Sequence, residues 1–354
     1  MPSSLPTSLK IALGAAGAII LLALLHFQPW KHSQSAADNT VHSGPNSAAR
    51  QELTVGFLPV TCHLTCPVTD YASHQSATGT NFNSQRFTDF PTVAAAVKAR
   101  KIQATFMIVP LAMKLREQGV PVKICYLGHR DGSEIVVAKN DPAKSLRDLK
   151  GKTLGIPSLY SNQNLVLHQL MRRQGLADGD INIRVLPPPQ MPTALASGAI
   201  DGYFVGEPFC GKAEMDGTGR VLYYAKDVWP HFVSCALVVH EDLIRDHPDQ
   251  VRDLVSGIAR SGAWADGHRV EAARLVSAKN YYNQDEKLLE FVLTKPKDRV
   301  SYSMLTPTDE DLQKIADAAL DQKVLTKPCK VSDLVDREFI PKDIRPADIK
   351  VAVK

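Results

Sequence analysis

From Leu53 to His240 short β-type runs alternate with helical ones, and this alternation constrains the fold more than any other feature of the chain. The runs are "LTVGFL", "NFNSQRF", "ATFMIV", "VKICYL", "EIVVAK", "TLGI", "INIRVL", "DGYFV", "RVLYY" and "CALVVH". Most are short and rich in β-branched and aromatic residues, as strands are. Helical patterns such as "PTVAAAVKARK" and "NLVLHQLMRRQG" fall between them. Strands separated by helices predict an α/β architecture built mainly on parallel sheets. After His240 the pattern changes to amphipathic helices, "PDQVRDLVSGIARSGAWADG", "VEAARLVSAKNYY" and "TDEDLQKIADAALDQK", with apolar residues three and four apart.

An internal echo refines this expectation. "PTVAAAVKARKIQATF" (Pro91 to Phe106) and "PTALASGAIDGYF" (Pro192 to Phe204) both open on Pro-Thr, continue as a small-residue helix and enter a strand through an isoleucine. Corresponding units in two α/β halves favour two similar lobes. A chain of 354 residues with 44% hydrophobic content has the length and the apolar material for that arrangement.

The N-terminus differs from the rest. Ile11 to Leu25 contains no polar side chain. The run is shorter than the roughly 20 residues that span a bilayer and matches a secretory apolar core, although His26, Phe27 and Trp30 extend it toward an anchor. Residues 1–30 therefore read as an export signal or membrane anchor, and residues 31–50, rich in Ser, Ala and Asn, as a polar linker. Both fates of the signal put the body outside the cytoplasm. Lys and Arg number 41 against 37 Asp and Glu, a net charge of +4 without a basic stripe, so a nucleic-acid partner is excluded from the reading.

"LRDLKGKTLGIPSLYSNQNLVLHQLMRRQGL" and "VLPPPQMPTALASGAIDGYFVGEPF" resemble the extracytoplasmic solute-binding proteins of ABC importers in the nitrate, sulfonate, taurine and bicarbonate class. The similarity runs from about Leu53 to Asp266, and Val-Gly-Glu-Pro-aromatic is most similar to the nitrate and bicarbonate branch. It implies a type 2 periplasmic-binding fold: two α/β lobes, an interlobe cleft and a hinge. On that basis lobe one comprises 51–138 and 234–354, and lobe two 139–233. The resemblance also implies a small-molecule or anionic ligand, an ABC permease and ATPase as partners, and no cofactor.

Candidate binding residues follow the strands, because open α/β sheets bind ligands at the carboxyl ends of their strands. Ser161 and Asn162 open a helix whose free N–H groups suit an anion, and Ser161 also suits an N-cap. Ser133 follows a Gly turn into a strand. Glu207 precedes Pro208; a buried carboxylate needs a partner, for which Lys212 or a backbone N–H is the expectation. The resemblance adds Phe90 and Pro91, where nitrate-type relatives tend to place an aromatic near the ligand. It also adds His231, beside Trp229 and Pro230 where such relatives carry a lysine, a departure that counts against nitrate itself.

"GFLPVTCHLTCPVTDYA" (Gly56 to Ala72) reads as a loop after the first strand, offering Thr61, Cys62 and His63 to the cleft. Three readings of its cysteines stand open. Cys62 and Cys66 can pair with each other or with Cys125, Cys210, Cys235 or Cys329. Cys62, His63 and Cys66 can hold a soft metal, although the second pair of a structural zinc site is missing. The third reading is small packed thiols. An enzyme on the same scaffold, akin to pyrimidine-precursor synthases, is the alternative to a receptor, alongside a sensor or a metal-capturing protein. The sequence contains no Gly-x-Ser-x-Gly elbow, no complete phosphate loop ending in Ser or Thr, and no His-Glu-x-x-His.

Overall fold

The computed structural model describes residues 50–351, so the apolar run and most of the polar linker lie outside the described residues. All ten β-type runs form strands, divided between two five-stranded sheets. The first sheet holds β1 (Glu52–Phe57), β2 (Asn81–Arg86), β3 (Ala104–Ile108), β4 (Val122–Leu127) and β11 (Cys235–His240), in the order β2-β1-β3-β11-β4. The second holds β6 (Ser133–Ala138), β7 (Thr153–Ile156), β8 (Asn182–Val185), β9 (Gly202–Gly206) and β10 (Gly219–Tyr224). Read from its β8 edge, its order is β8-β7-β9-β6-β10.

The two orders are the same pattern. In each sheet three neighbouring strands are parallel, and the fourth runs antiparallel to both of its neighbours. That fourth strand is the one by which the chain enters the second sheet (β6) or returns to the first (β11). The echo units sit in matching places: helix Phe90–Lys98 joins β2 to β3, and helix Met191–Ala196 joins β8 to β9. Both helices begin with proline in the first turn, where the missing N–H costs nothing.

One boundary moves. Strand β6, expected to close the first lobe at residue 138, hydrogen-bonds to β9 and β10 alone. The chain therefore crosses between the sheets at 128–132 and again at 225–234. The short strands β5 (Arg130–Asp131) and β12 (Val300–Ser301) pair beside the first crossing, and Arg130 bridges to Val233 in the second. At Gly128 the backbone approach is so close that a Cβ would lie 2.0 Å from the Cys62 carbonyl oxygen, which only glycine tolerates.

Most C-terminal helices pack onto the first sheet's side, while helix Glu286–Thr294 also meets helix Phe209–Met215 of the second lobe. Helix Pro248–Gly267 matches the amphipathic pattern read from sequence and lies against helix Thr65–Gln75. Helix Asp309–Asp321 is capped by Thr308, whose hydroxyl accepts from Asp311 N–H. No helix among the described residues is long and apolar enough to cross a membrane.

Candidate functional site

The stretch read as a loop after β1 is helical. Thr61–His63 forms a tight turn that leads into helix Thr65–Gln75. Pro67 falls in that helix's first turn, where its ring and missing N–H are compatible with helix. The turn lies directly against the second lobe: Thr61 N–H donates to the Glu207 carbonyl at 2.7 Å, and Glu207 N–H donates to Gly132 at 2.9 Å. Val60, Cys62 and Phe90 from the first lobe face Pro157, Gln163, Pro188, Val205 and Gly206 from the second, with Ser234 and Cys235 where the chain returns. They enclose about 10 Å³, room for about one water molecule. The cleft is closed.

Helix Asn162–Arg173 aims its N-terminus at this junction. Ser161 caps it, accepting from Asn164 N–H at 3.1 Å while donating to the Ser158 carbonyl at 2.7 Å. Its single donor is spent on Ser158 and it accepts from Asn164, so capping is its observed work. Asn162 donates to the carbonyls of Val233 and Ser234, tying the helix to the return crossing. Gln163, one residue on, donates to Ser133 Oγ at 3.1 Å and Ser234 Oγ at 3.2 Å. The side-chain amide oxygens of Asn162 and Gln163 are buried without a partner; Gln163 lines the cavity, and its open acceptor there favours a hydrogen-bond donor arriving from a ligand.

The remaining candidates divide. Phe90 lines the cavity, whereas Pro91 is exposed. Thr61 is fully buried behind the wall, its hydroxyl 2.8 Å from His129 Nε2 and its carbonyl accepting from Tyr302 at 2.9 Å. Burial holds His129 neutral, its pKa pressed down to about 3. His231 is exposed in a left-handed turn with φ of 58°, and its carbonyl accepts from Arg130. It does not reach the cavity.

Glu207 is buried and partnered, but not by Lys212, which reaches out to Asp216 at 2.8 Å. The carboxylate accepts from Gly211 N–H at 2.8 Å and from Arg299 at 2.6 Å, and Arg299 also binds Glu214 at 2.7 Å. The Arg299 guanidinium lies over the rings of Phe291 and Tyr224. Glu207 thus braces the junction and presents no charge to the cavity. Gly206 to Lys212 has the glycine and lysine spacing of a phosphate loop, but Ala213 stands where the hydroxyl is required.

The metal reading changes. Cys66 faces the Val55 carbonyl and Ser84 instead of Cys62, because helical rise carries it to the other side of the turn. Cys235 takes its place: one donor atom each from Cys62, His63 and Cys235 lies within 4.8 Å of the others. His63 Nδ1 accepts from Leu58 N–H at 2.7 Å. The neutral ring therefore carries its proton on Nε2, which leaves no lone pair for a metal. Two thiols remain, fewer than a tetrahedral zinc site takes.

Sequence reasoning missed Gln163 and Ser234, and named Cys235 only as one possible partner of Cys62 and Cys66. The available signal was positional: Gln163 is the second residue of a helix that follows β7, and Ser234 and Cys235 lie where a strand leaves a crossing.

A family model described as the NMT1-like family matches residues 46–279. The nitrate import ATP-binding protein NrtC of Synechocystis is 27% identical over 64% of this chain and 37% of its own length. A putative aliphatic sulfonates-binding protein of Bacillus subtilis is 26% identical over 59% of this chain and 61% of its own. The chain thus spans less than two-thirds of either relative. Among solved structures, the zinc-bound ligand-binding component of an ABC-type import system from Staphylococcus aureus superposes with a TM-score of 0.73 at 24% identity, covering 82% of this chain and 98% of that one.

Proposed function

This chain belongs to the NMT1-like family, and from that premise we propose that it is the extracytoplasmic solute-binding component of an ABC importer, with a permease and an ATPase as partners. The observation that carries the reading is the closed cavity, walled by both lobes at the carboxyl ends of parallel strands. A site with room for about one water admits a ligand only if the lobes part. Closure around a captured solute is the work such a geometry performs.

The wall also bears on the ligand. Among the residues lining it, none is a lysine or arginine. Its polar groups are the Gln163 amide, the Ser234 hydroxyl and the two thiols, with helix N–H groups behind them. Burying a bare anion without a cation is costly. We therefore assign the ligand to compact polar solutes that donate hydrogen bonds, in preference to nitrate. A thermal-shift panel of nitrate, bicarbonate, methanesulfonate, urea and formamide, followed by calorimetry, tests this. The expected result is stabilisation by a neutral member, with Gln163→Ala lowering affinity about tenfold, equivalent to about 1.4 kcal/mol. Preferential binding of nitrate would overturn the ligand class. Turnover of any bound solute would replace the receptor reading with the enzyme one.

A further inference from the structure

The two thiols in the cavity wall are closer to each other than packing alone requires. Cys62 Sγ and Cys235 Sγ stand 2.8 Å apart, although 173 positions separate the residues in sequence. Cys62 lies in the turn after β1 and Cys235 opens β11, so both belong to the first lobe. Ser234 Oγ lies 3.6 Å from Cys235 Sγ. The third neighbour is His63, whose Nε2 is buried without a hydrogen-bond partner while Nδ1 is committed to Leu58 N–H.

We propose that Cys62 and Cys235 are a reversible dithiol–disulfide couple in the cleft wall, oxidised by a small hydroperoxide and reduced by thiols. The pair needs under 1 Å of approach to reach the bond length of about 2.05 Å of a disulfide. The oxidant class follows from access: both sulfurs are buried, so a small peroxide reaches them with the least parting of the lobes.

The neighbours divide the roles. Burial raises both thiols, but hydrogen bonding from Cys62 and Ser234 brings Cys235 below the ordinary thiol range, whereas Cys62 is pushed well above it. Cys235, which accepts the Cys62 S–H and has Ser234 Oγ beside it, is therefore the attacking thiolate. It gives its proton to solvent and attacks one peroxide oxygen, forming an S–O bond as the O–O bond breaks. The hydroxide released takes the Cys62 proton and leaves as water. The Cys62 thiolate then attacks the Cys235 sulfenic sulfur, forming the S–S bond and expelling hydroxide, which recovers a proton from solvent as the second water. Two sulfurs lose one electron each and the peroxide gains two. Two equivalents of a thiol reverse the bond and leave as their own disulfide.

The consequence is chemical more than mechanical, because a bond within one lobe leaves the hinge free. Oxidation replaces a thiol donor and a thiolate with an apolar S–S edge in the wall that faces Gln163. This inference is independent of which solute the cleft holds.

Reduced full-length protein, treated with hydrogen peroxide, denatured in N-ethylmaleimide and mapped by mass spectrometry, provides the test. The expected product is a Cys62–Cys235 linked peptide rising from none to nearly one per chain, with Cys66, Cys125, Cys210 and Cys329 alkylated. Dithiothreitol should return all six cysteines to the alkylated form. With dimedone present, Cys62→Ser should trap a sulfenic acid on Cys235, and Cys235→Ser should trap none on Cys62. If either variant fails to fold, the wild-type mapping decides alone. Six alkylated cysteines after peroxide, a link between another pair, trapping on Cys62, or a stoichiometric soft metal on the reduced protein that blocks the link would each overturn the proposal.

Discussion

Glu134 illustrates at the scale of a residue how burial decides charge. It is 1% exposed, and no hydrogen-bond donor reaches either of its carboxylate oxygens. Burial, then the negative charge of Glu207, raise its pKa well above the ordinary value of 4.5, and Arg299 offsets this only in part. Arg299 spends its hydrogen bonds on Glu207 and Glu214. The folded state therefore binds a proton that the unfolded state releases near pH 4.5. With more protons bound in the native state, stability from this group is full below that pH and falls as pH rises toward the raised value, by about 1.4 kcal/mol per pH unit within the window. Glu134→Gln holds the neutral shape at every pH. Urea unfolding at pH 5, 6, 7 and 8 should show the variant gaining on the wild type as pH rises; a constant difference would assign the buried charge elsewhere.

Single turns position the site at the scale of elements. Helix Asn162–Arg173 owes its start to Ser161, and its first two residues, Asn162 and Gln163, reach across to the return crossing. A helix that frays here loses both bridges at once. Ser161→Ala should lower unfolding free energy by about 1 kcal/mol, the usual cost of a lost N-cap, and Ser161→Thr, which keeps a hydroxyl that both donates and accepts, should restore most of it. The check is urea denaturation together with hydrogen exchange at Asn164, whose N–H the cap holds. The turn Thr61–His63 makes the complementary point. Its residues were legible as candidates because they follow a strand, yet its helical shape was hidden by the run of threonines and cysteines, which have weak helix preference. Tertiary contacts hold it: the Thr61 carbonyl to Tyr302, the Val60 carbonyl to Tyr282 and the Thr61 N–H to Glu207.

Across the whole molecule the lobes are joined by more than the two crossings. Arg299, which is followed by β12, binds Glu207 and Glu214 of the second lobe while β12 pairs with the first crossing. Removing one partner leaves a buried charge uncompensated, so Arg299→Met should cost about 3–5 kcal/mol. Adding Glu207→Gln should recover a large part of that loss, since no buried anion then lacks its cation. Calorimetric unfolding of the single and double variants measures this, and additive losses would mean the residues contribute by packing alone. The strands, the paired Pro-Thr helices and the C-terminal amphipathic helices were determined by the sequence itself, because periodicity and proline placement act over a few residues. Two similar lobes followed from the same local signals. Tertiary structure alone decided that Cys62 meets Cys235 and not Cys66, that Arg299 and not Lys212 answers Glu207, and that Gln163 faces the cavity while His231 does not. Each of these pairings joins positions far apart in the chain, and local pattern carries no information about which distant surfaces the packing of two sheets will bring together.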